Sequence, residues 1–336
     1  MKVFEIQDGF GLDHLKSATR DVPEPGPGQV LVRVAACSLN YRDLLTVEGV
    51  YNPRQPLPLV PLSDGAGRVE STGPGVSRVK EGDRVAGIFA QKWLGGDPAP
   101  EVRRSTLGGP LDGMLAEYAL LSEEGVVHVP EHLSDEEAAC LPCAGVTAWH
   151  ALMSDRPVKP GDVVLALGTG GVSIFALQFA NLAGARVIIT SSSDEKLERA
   201  RHLGAWGTVN YKTEPEWHRR VMEMTDGQGA DHVVEVGGAG TLERSFKAAR
   251  IGGTVSAIGQ LSGARTELTV NYIFMKSLHV QGIFVGGRDL FEAMNRAVAQ
   301  HGMRPVVDRV FPFDQAAEAF KLMKEAGHFG KIVIRV

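Results

Sequence analysis

Three cysteines in 336 residues are too few to staple a chain of this length, and their odd number leaves at least one thiol outside any disulfide. That excludes a disulfide framework of the secreted kind and points to a reducing compartment. Clustered positive charge is missing too. The formal net charge is −5 and no Lys/Arg run is longer than a pair such as Arg103–Arg104. Nucleic acid and anionic membrane surfaces are therefore poor electrostatic partners. No apolar stretch approaches the roughly eighteen residues that span a bilayer, and Met1-Lys2-Val3-Phe4-Glu5 opens without an apolar signal core. From these absences a cytoplasmic protein is expected, with no membrane or nucleic-acid partner.

What is present is ordinary globular composition, 43% hydrophobic and 22% charged, at a length that suits two domains better than one. Residues 1 to about 126 are short β-like runs cut by turns, such as Val30-Leu31-Val32-Arg33-Val34 after Pro25-Gly26-Pro27-Gly28. This texture predicts an antiparallel, partly barrel-shaped domain. From Asp162 the texture changes. Apolar, β-branched runs start at Val163, Arg186, Thr208, His232, Thr254 and His279, 22–25 residues apart, with helical patterns between most of them. Strands alternating with helices predict βαβ units in a doubly wound parallel sheet. The tail, Lys331-Ile332-Val333-Ile334-Arg335-Val336, is expected to fold back onto the first domain. The chain thus reads as an α/β protein.

The strand Val163–Leu167 runs into Gly168-Thr169-Gly170-Gly171-Val172-Ser173 and then the helical run Ile174–Leu182. Glycines in such a turn let the backbone approach a pyrophosphate, whose charge meets the N–H groups and dipole of the helix. Ser173 stands where the third glycine of the pattern would be. A structural turn without a ligand is the bland alternative, and the position at the head of a βαβ series weighs against it. The next strand ends in Thr190-Ser191-Ser192-Ser193, without the carboxylate that binds the ribose 2′-OH in NAD enzymes. Hydroxyls there, with Lys196 one turn on and Tyr211 after the third strand, predict a pocket for a 2′-phosphate. NADP(H) is therefore preferred over NAD(H). A solvated helix start is the bland reading of those residues.

Across its whole length the sequence resembles the medium-chain dehydrogenase/reductase superfamily, and within it the zinc-independent, quinone oxidoreductase-like branch. The resemblance is carried by Pro25-Gly26-Pro27-Gly28-Gln29-Val30, by Asn40-Tyr41-Arg42-Asp43, and by Pro58-Leu59-Val60-Pro61-Leu62-Ser63-Asp64-Gly65. Asp112-Gly113-Met114-Leu115-Ala116-Glu117-Tyr118 and Ala144-Gly145-Val146-Thr147-Ala148-Trp149 add to it. It implies a GroES-like catalytic domain, expected over 1–126 and 286–336, and a Rossmann nucleotide-binding domain over 127–285. It also implies that Gly259 and Gln260 lie beside the nicotinamide, that Phe284 and Val285 pass close to its carboxamide, and that the edge strand Val280–Phe284 pairs across a homodimer axis.

Departures from the metal-bearing branch bear on the mechanism. The three catalytic zinc ligands of that branch fall on Asn40, Ser63 and Cys143, and only the last is a zinc donor. The loop 91–113, where a structural-zinc lobe would lie, holds no cysteine. Cys140-x-x-Cys143 lies in an apolar helical run, Glu136–Leu152, and reads as buried small hydrophobes rather than a metal pair. No metal is expected. Hydrogen-bond donors must then manage the charge on the acceptor oxygen: Asn40 through its amide, and Tyr51, which the resemblance places where related enoyl reductases carry a proton-donating tyrosine, if Arg42 or Arg54 lowers its pKa. Asp43 completes the candidate catalytic set, chiefly by orienting its loop. Phe89, Trp93 and Leu94 point to a small apolar carbonyl, enone or quinone as substrate. Alcohol oxidation by the same groups is one alternative, and a catalytically weak, crystallin-like nucleotide-binding protein is another.

Overall fold

The computed structural model describes residues 1–336. They form two compact units, Met1–Val146 with Gly286–Val336, and Thr147–Val285. In chain order the first unit supplies strands β1 (Lys2–Ile6), β2 (Leu15–Thr19), β3 (Gln29–Ser38), β4 (Asp64–Thr72), β5 (Arg84–Gly87), β6 (Tyr118–Ser122) and β7 (Val126–His128). The second supplies β8 (Val163–Ala166), β9 (Arg186–Ser191), β10 (Gly207–Asn210), β11 (Ala230–Glu235), β12 (Ala249–Ala257) and β13 (His279–Gly282). The chain returns to the first unit for β14 (Val307–Pro312) and β15 (Lys331–Arg335).

The first boundary falls about twenty residues later than the 126/127 break read from the sequence. β7 pairs antiparallel with β5, and Asn295 donates to the His128 carbonyl at 2.9 Å, which ties this stretch to the first unit. The apolar run Glu136–Leu152 is not one helix. It splits into Asp135–Ala138, a wide π turn at Leu141–Gly145, and Val146–Met153. Pro142 has no N–H to give the helical ladder, so the turn opens around it.

In the first unit one sheet runs β14-β15-β3-β4-β5-β7, with β6 also on β3. Its long central strand is antiparallel to both neighbours: Ser38 pairs with Asp64 on β4 and with Val333 on β15. The end of β3 therefore lies beside the beginnings of β4 and β15. Val32, Val34, Leu44, Val69, Ile332 and Ile334 belong to the core that holds these strands. Burying such aliphatic side chains contributes about 1.5–3 kcal/mol each, which fixes the register that brings the strand ends together.

The second unit is a parallel sheet in the order β10-β9-β8-β11-β12-β13. This is the doubly wound dinucleotide order, reversing between β8 and β11. Its core includes Leu165, Ile188, Val209, Val233, Phe246 and Val255. β12 begins at Ala249 rather than Thr254, because a bulged lead-in through Gly252 and Gly253 interrupts the apolar pattern before pairing becomes regular.

Candidate active site

The glycine loop follows β8 at the reversal of strand order. Gly168 has φ +76°, a conformation glycine adopts freely, and its N–H donates to Thr190 Oγ1 at 3.1 Å. The helix Gly171–Leu182 starts at its third glycine, with Gly170 as an N-cap that offers no side chain to the first-turn N–H groups. A Cβ on Gly168 or Gly170 would meet nothing within 4 Å. The loop is thus open where a phosphate would sit. Ser173 is 1% exposed and donates to the Leu167 carbonyl at 2.6 Å, so it ties helix to strand and faces no ligand. Thr169 is buried, while Gly171 and Val172 are half-buried beside the open loop.

Ser191, at the end of β9, is 3% exposed, and its Oγ accepts from Ser193 N. Ser192 and Lys196 are half-buried and Tyr211 is 41% exposed, its N–H on the Ser191 carbonyl at 3.0 Å. The next carboxylate along the chain, Asp194, accepts from the Asn210 amide at 2.7 Å. After β12, Gly259 packs against the backbone of Val236, where a Cβ would collide with the carbonyl oxygen, and Gln260 is exposed. Phe284 is half-buried. Val285 holds φ +50°, a strained value for a β-branched residue, and its carbonyl accepts from His150 Nδ1 at 2.7 Å.

The first unit gathers a polar cluster where β3, β4 and β15 converge. Asn40 caps the helix Tyr41–Val47 and is 9% exposed; Asp43, Ser63 and Asp64 are fully buried, and Lys331 is 2% exposed. Leu62, at φ +71°, turns the chain into Ser63. Asp43 Oδ2 accepts from Asn40 N at 2.9 Å and its Oδ1 from Arg42 at 3.1 Å. Ser63 Oγ donates to Asp64 Oδ1 at 2.8 Å, and Asn40 Nδ2 points to Ser63 Oγ at 3.4 Å. Lys331 Nζ donates to the Leu39 carbonyl at 2.7 Å and to Asn40 Oδ1 at 2.6 Å, and lies 3.8 Å from Asp64 Oδ2. Burial raises the carboxyl of Asp64 above its ordinary range, opposed chiefly by the Lys331 charge. Burial raises Asp43 likewise, opposed chiefly by Arg42.

Tyr51 stands at the edge of this cluster, 43% exposed. Arg42 lies over its ring at 4.9 Å and over that of Phe89 at 5.3 Å. The guanidinium also donates to the carbonyls of Leu107, Gly108 and Gly109. Arg42 therefore clamps a loop and stacks on the tyrosine face, so of the two arginines named from the sequence it meets the ring rather than the hydroxyl. Phe89 and Trp93 are core residues, 2% and 3% exposed, and of the three expected wall residues only Leu94 reaches the surface. Sequence reading missed Lys331 and Asp64. The one available signal was a lysine placed directly before the apolar run Ile332–Ile334 of the terminal strand.

The donor set does not fit zinc. Asn40 has its oxygen taken by Lys331, Ser63 donates to Asp64, and no three His, Cys, Asp or Glu residues gather into a metal-holding group. Cys143 remains, its thiol pushed up by burial and by Asp64 and its N–H on Asp64 Oδ2 at 3.2 Å. A lysine ammonium already sits among these groups, and a divalent cation beside it would be repelled.

An open glycine loop on a doubly wound sheet, with a polar cluster on a partly barrel-shaped unit, defines a two-unit oxidoreductase. The family models agree. "Alcohol dehydrogenase GroES-like domain" matches residues 26–131 and "Zinc-binding dehydrogenase" residues 171–300, and the chain belongs to the medium-chain dehydrogenase/reductase superfamily. A zinc-type alcohol dehydrogenase-like protein of Schizosaccharomyces pombe is 46% identical over 333 residues, covering 97% of this chain and 96% of that one. A quinone oxidoreductase of Pseudomonas aeruginosa is 36% identical over 259 residues, 76% of this chain and 73% of its own. The crystal structure of an NAD-dependent alcohol dehydrogenase superposes with a TM-score of 0.91 at 37% identity, covering 100% of both chains.

Proposed function

We propose that this oxidoreductase moves a hydride between NADP(H) and a small apolar quinone, enone or carbonyl/alcohol substrate, and does so without zinc. The observation that carries the reading is the open, uncapped glycine loop at the strand-order reversal, followed at the end of β9 by serines with no carboxylate among them. The nicotinamide, when bound, supplies or takes up the hydride.

The chain's own groups do the rest. Gly168, Thr169, Gly170, Gly171 and Val172 hold the pyrophosphate against the helix N-terminus, and Ser191, Ser192, Lys196 and Tyr211 receive the 2′-phosphate. Gly259, Gln260, Phe284 and Val285 flank the nicotinamide. Asn40 donates to the acceptor oxygen, which bears the charge that hydride transfer leaves behind. Asp43 positions Asn40 through its N–H, and Tyr51 stands ready as proton donor. Oxidation of alcohols by the same groups is the second reading, favoured by the likeness to the NAD-dependent alcohol dehydrogenase. Three free thiols support a reducing, cytoplasmic setting for the protein. It acts as a homodimer formed along the exposed edge of β13.

Turnover of a small panel of quinones, enones and alcohols with each cofactor tests this. NADPH should exceed NADH in kcat/KM by about tenfold or more, equivalent to roughly 1.4 kcal/mol, and chelator should leave the rate unchanged. Ser192→Asp should reverse the preference by placing a carboxylate against the 2′-phosphate. A native preference for NADH, or activity lost to chelator and restored by zinc, would overturn the proposal.

A further inference from the structure

We propose that Lys331 is a positioning residue for the reaction: its buried ammonium fixes the orientation of the Asn40 amide and serves as the resident cation of the site. This deepens the functional reading above and rests on Asn40 meeting the acceptor oxygen.

The argument starts from an ambiguity in asparagine. The two ends of its amide have nearly the same shape, so packing alone does not choose which one faces a substrate. A lysine ammonium has three donors and no acceptor, so the Asn40 atom 2.6 Å from Nζ is oxygen. With Oδ1 held there, Nδ2 is turned the other way. Its hydrogens are directed toward Ser63 Oγ, at the long distance of 3.4 Å, and toward the Asp64 carboxyl, and an acceptor oxygen would take one of them in exchange for these loose contacts. The contact with a full positive charge also polarises the amide, which makes its N–H a stronger donor.

An ordinary buried ion pair would look different. Nζ stands 3.8 Å from Asp64 Oδ2, beyond hydrogen-bond range, while its two short bonds go to the Leu39 carbonyl and Asn40 Oδ1. Lys331 is bonded to the loop that carries Asn40, and the carboxylate provides countercharge. Asp64 itself accepts from Ser63 Oγ, Cys143 N and, at 3.4 Å, Ser38 Oγ, with the Asn40 amide also acting on it. The cation thus shares a cluster with the three positions where the metal-bearing branch places zinc ligands. A fixed ammonium acting through an amide here takes on part of the electrostatic work of a metal.

The test is a kinetic cycle of Lys331→Met and Asn40→Ala in the full chain, read as kcat at saturating NADPH, NADPH Kd by fluorescence, and Tm. Lys331→Met should lower kcat about tenfold to a hundredfold, as loss of an orienting partner does, with NADPH Kd unchanged. In the Asn40→Ala background the same substitution should change kcat less than about twofold, because the group it orients is gone. Effects that multiply independently, an unchanged kcat in Lys331→Met, or a rise in NADPH Kd that accounts for the loss would each overturn the role. If Asn40→Ala alone leaves kcat intact, the underlying assignment of Asn40 fails instead. Should Lys331→Met not fold, the charge-balanced pair Lys331→Met/Asp64→Asn carries the same expectation, and full native kcat in that pair would count against the proposal.

Discussion

Asn40 was legible in the sequence because it stands where a metal ligand is expected and carries an amide in its place. Its orientation was not, since two of the groups that set it, Ser63 and Lys331, come from other strands, and only Asp43, in the helix that Asn40 caps, is near it in sequence. His232 on β11 gives a prediction at this scale. It is 7% exposed, and burial holds its imidazole below the ordinary range, opposed by Asp162 at 3.5 Å. The unfolded chain takes up a proton near pH 6.5, whereas the folded one resists it. The stability carried by the neutral ring is therefore complete above that pH and is lost as pH falls through it. Thermal melts from about one unit above that pH to about one unit below it should show a fall in Tm that is shallower in His232→Gln by roughly 2 °C. Parallel curves for the two proteins would dismiss the assignment.

At the scale of elements, the glycine loop separates binding from folding in a testable way. Gly170 has φ −80° and ψ −176°, the extended geometry of an N-cap, and its missing side chain faces open space. Gly170→Asp therefore fits the backbone and caps the helix, and should raise stability by about 0.5 kcal/mol. The same carboxylate would repel a pyrophosphate, so NADPH Kd should rise by more than about tenfold. Opposite signs for stability and affinity mark a phosphate site, and an unchanged Kd would place the nucleotide elsewhere. The strands of the parallel sheet were readable because each is a short β-branched run between turns. The Glu136–Leu152 run misled because periodicity does not reveal how a proline opens a turn, and β12 misled because glycines hid its first residues.

At the scale of the whole molecule, β13 closes one edge of the parallel sheet, with Val280 42% exposed and the preceding Phe274 and Met275 59% and 72% exposed. An uncovered apolar edge invites pairing with a second copy. Light scattering on the purified protein should give a dimer, and Val280→Asp should give a folded monomer, because charge on an edge strand opposes pairing without touching the core. A monomeric native protein, or a variant that still dimerises, would remove β13 as the interface. The division of the chain into units belongs to this scale too. Composition does not set residues 127–146 apart from the start of the second unit, and their place is decided by β7 pairing with β5.

Local order along the chain was enough to specify the parallel sheet and the glycine loop after its first strand, since each depends on residues close together in sequence, while the positions compared with zinc ligands were read through the family resemblance. The polar cluster required the fold. Lys331 and Asn40 are 291 residues apart, and they touch because β3 runs antiparallel to both β4 and β15. No periodicity or spacing encodes that contact; it comes from how the buried strands pack side by side.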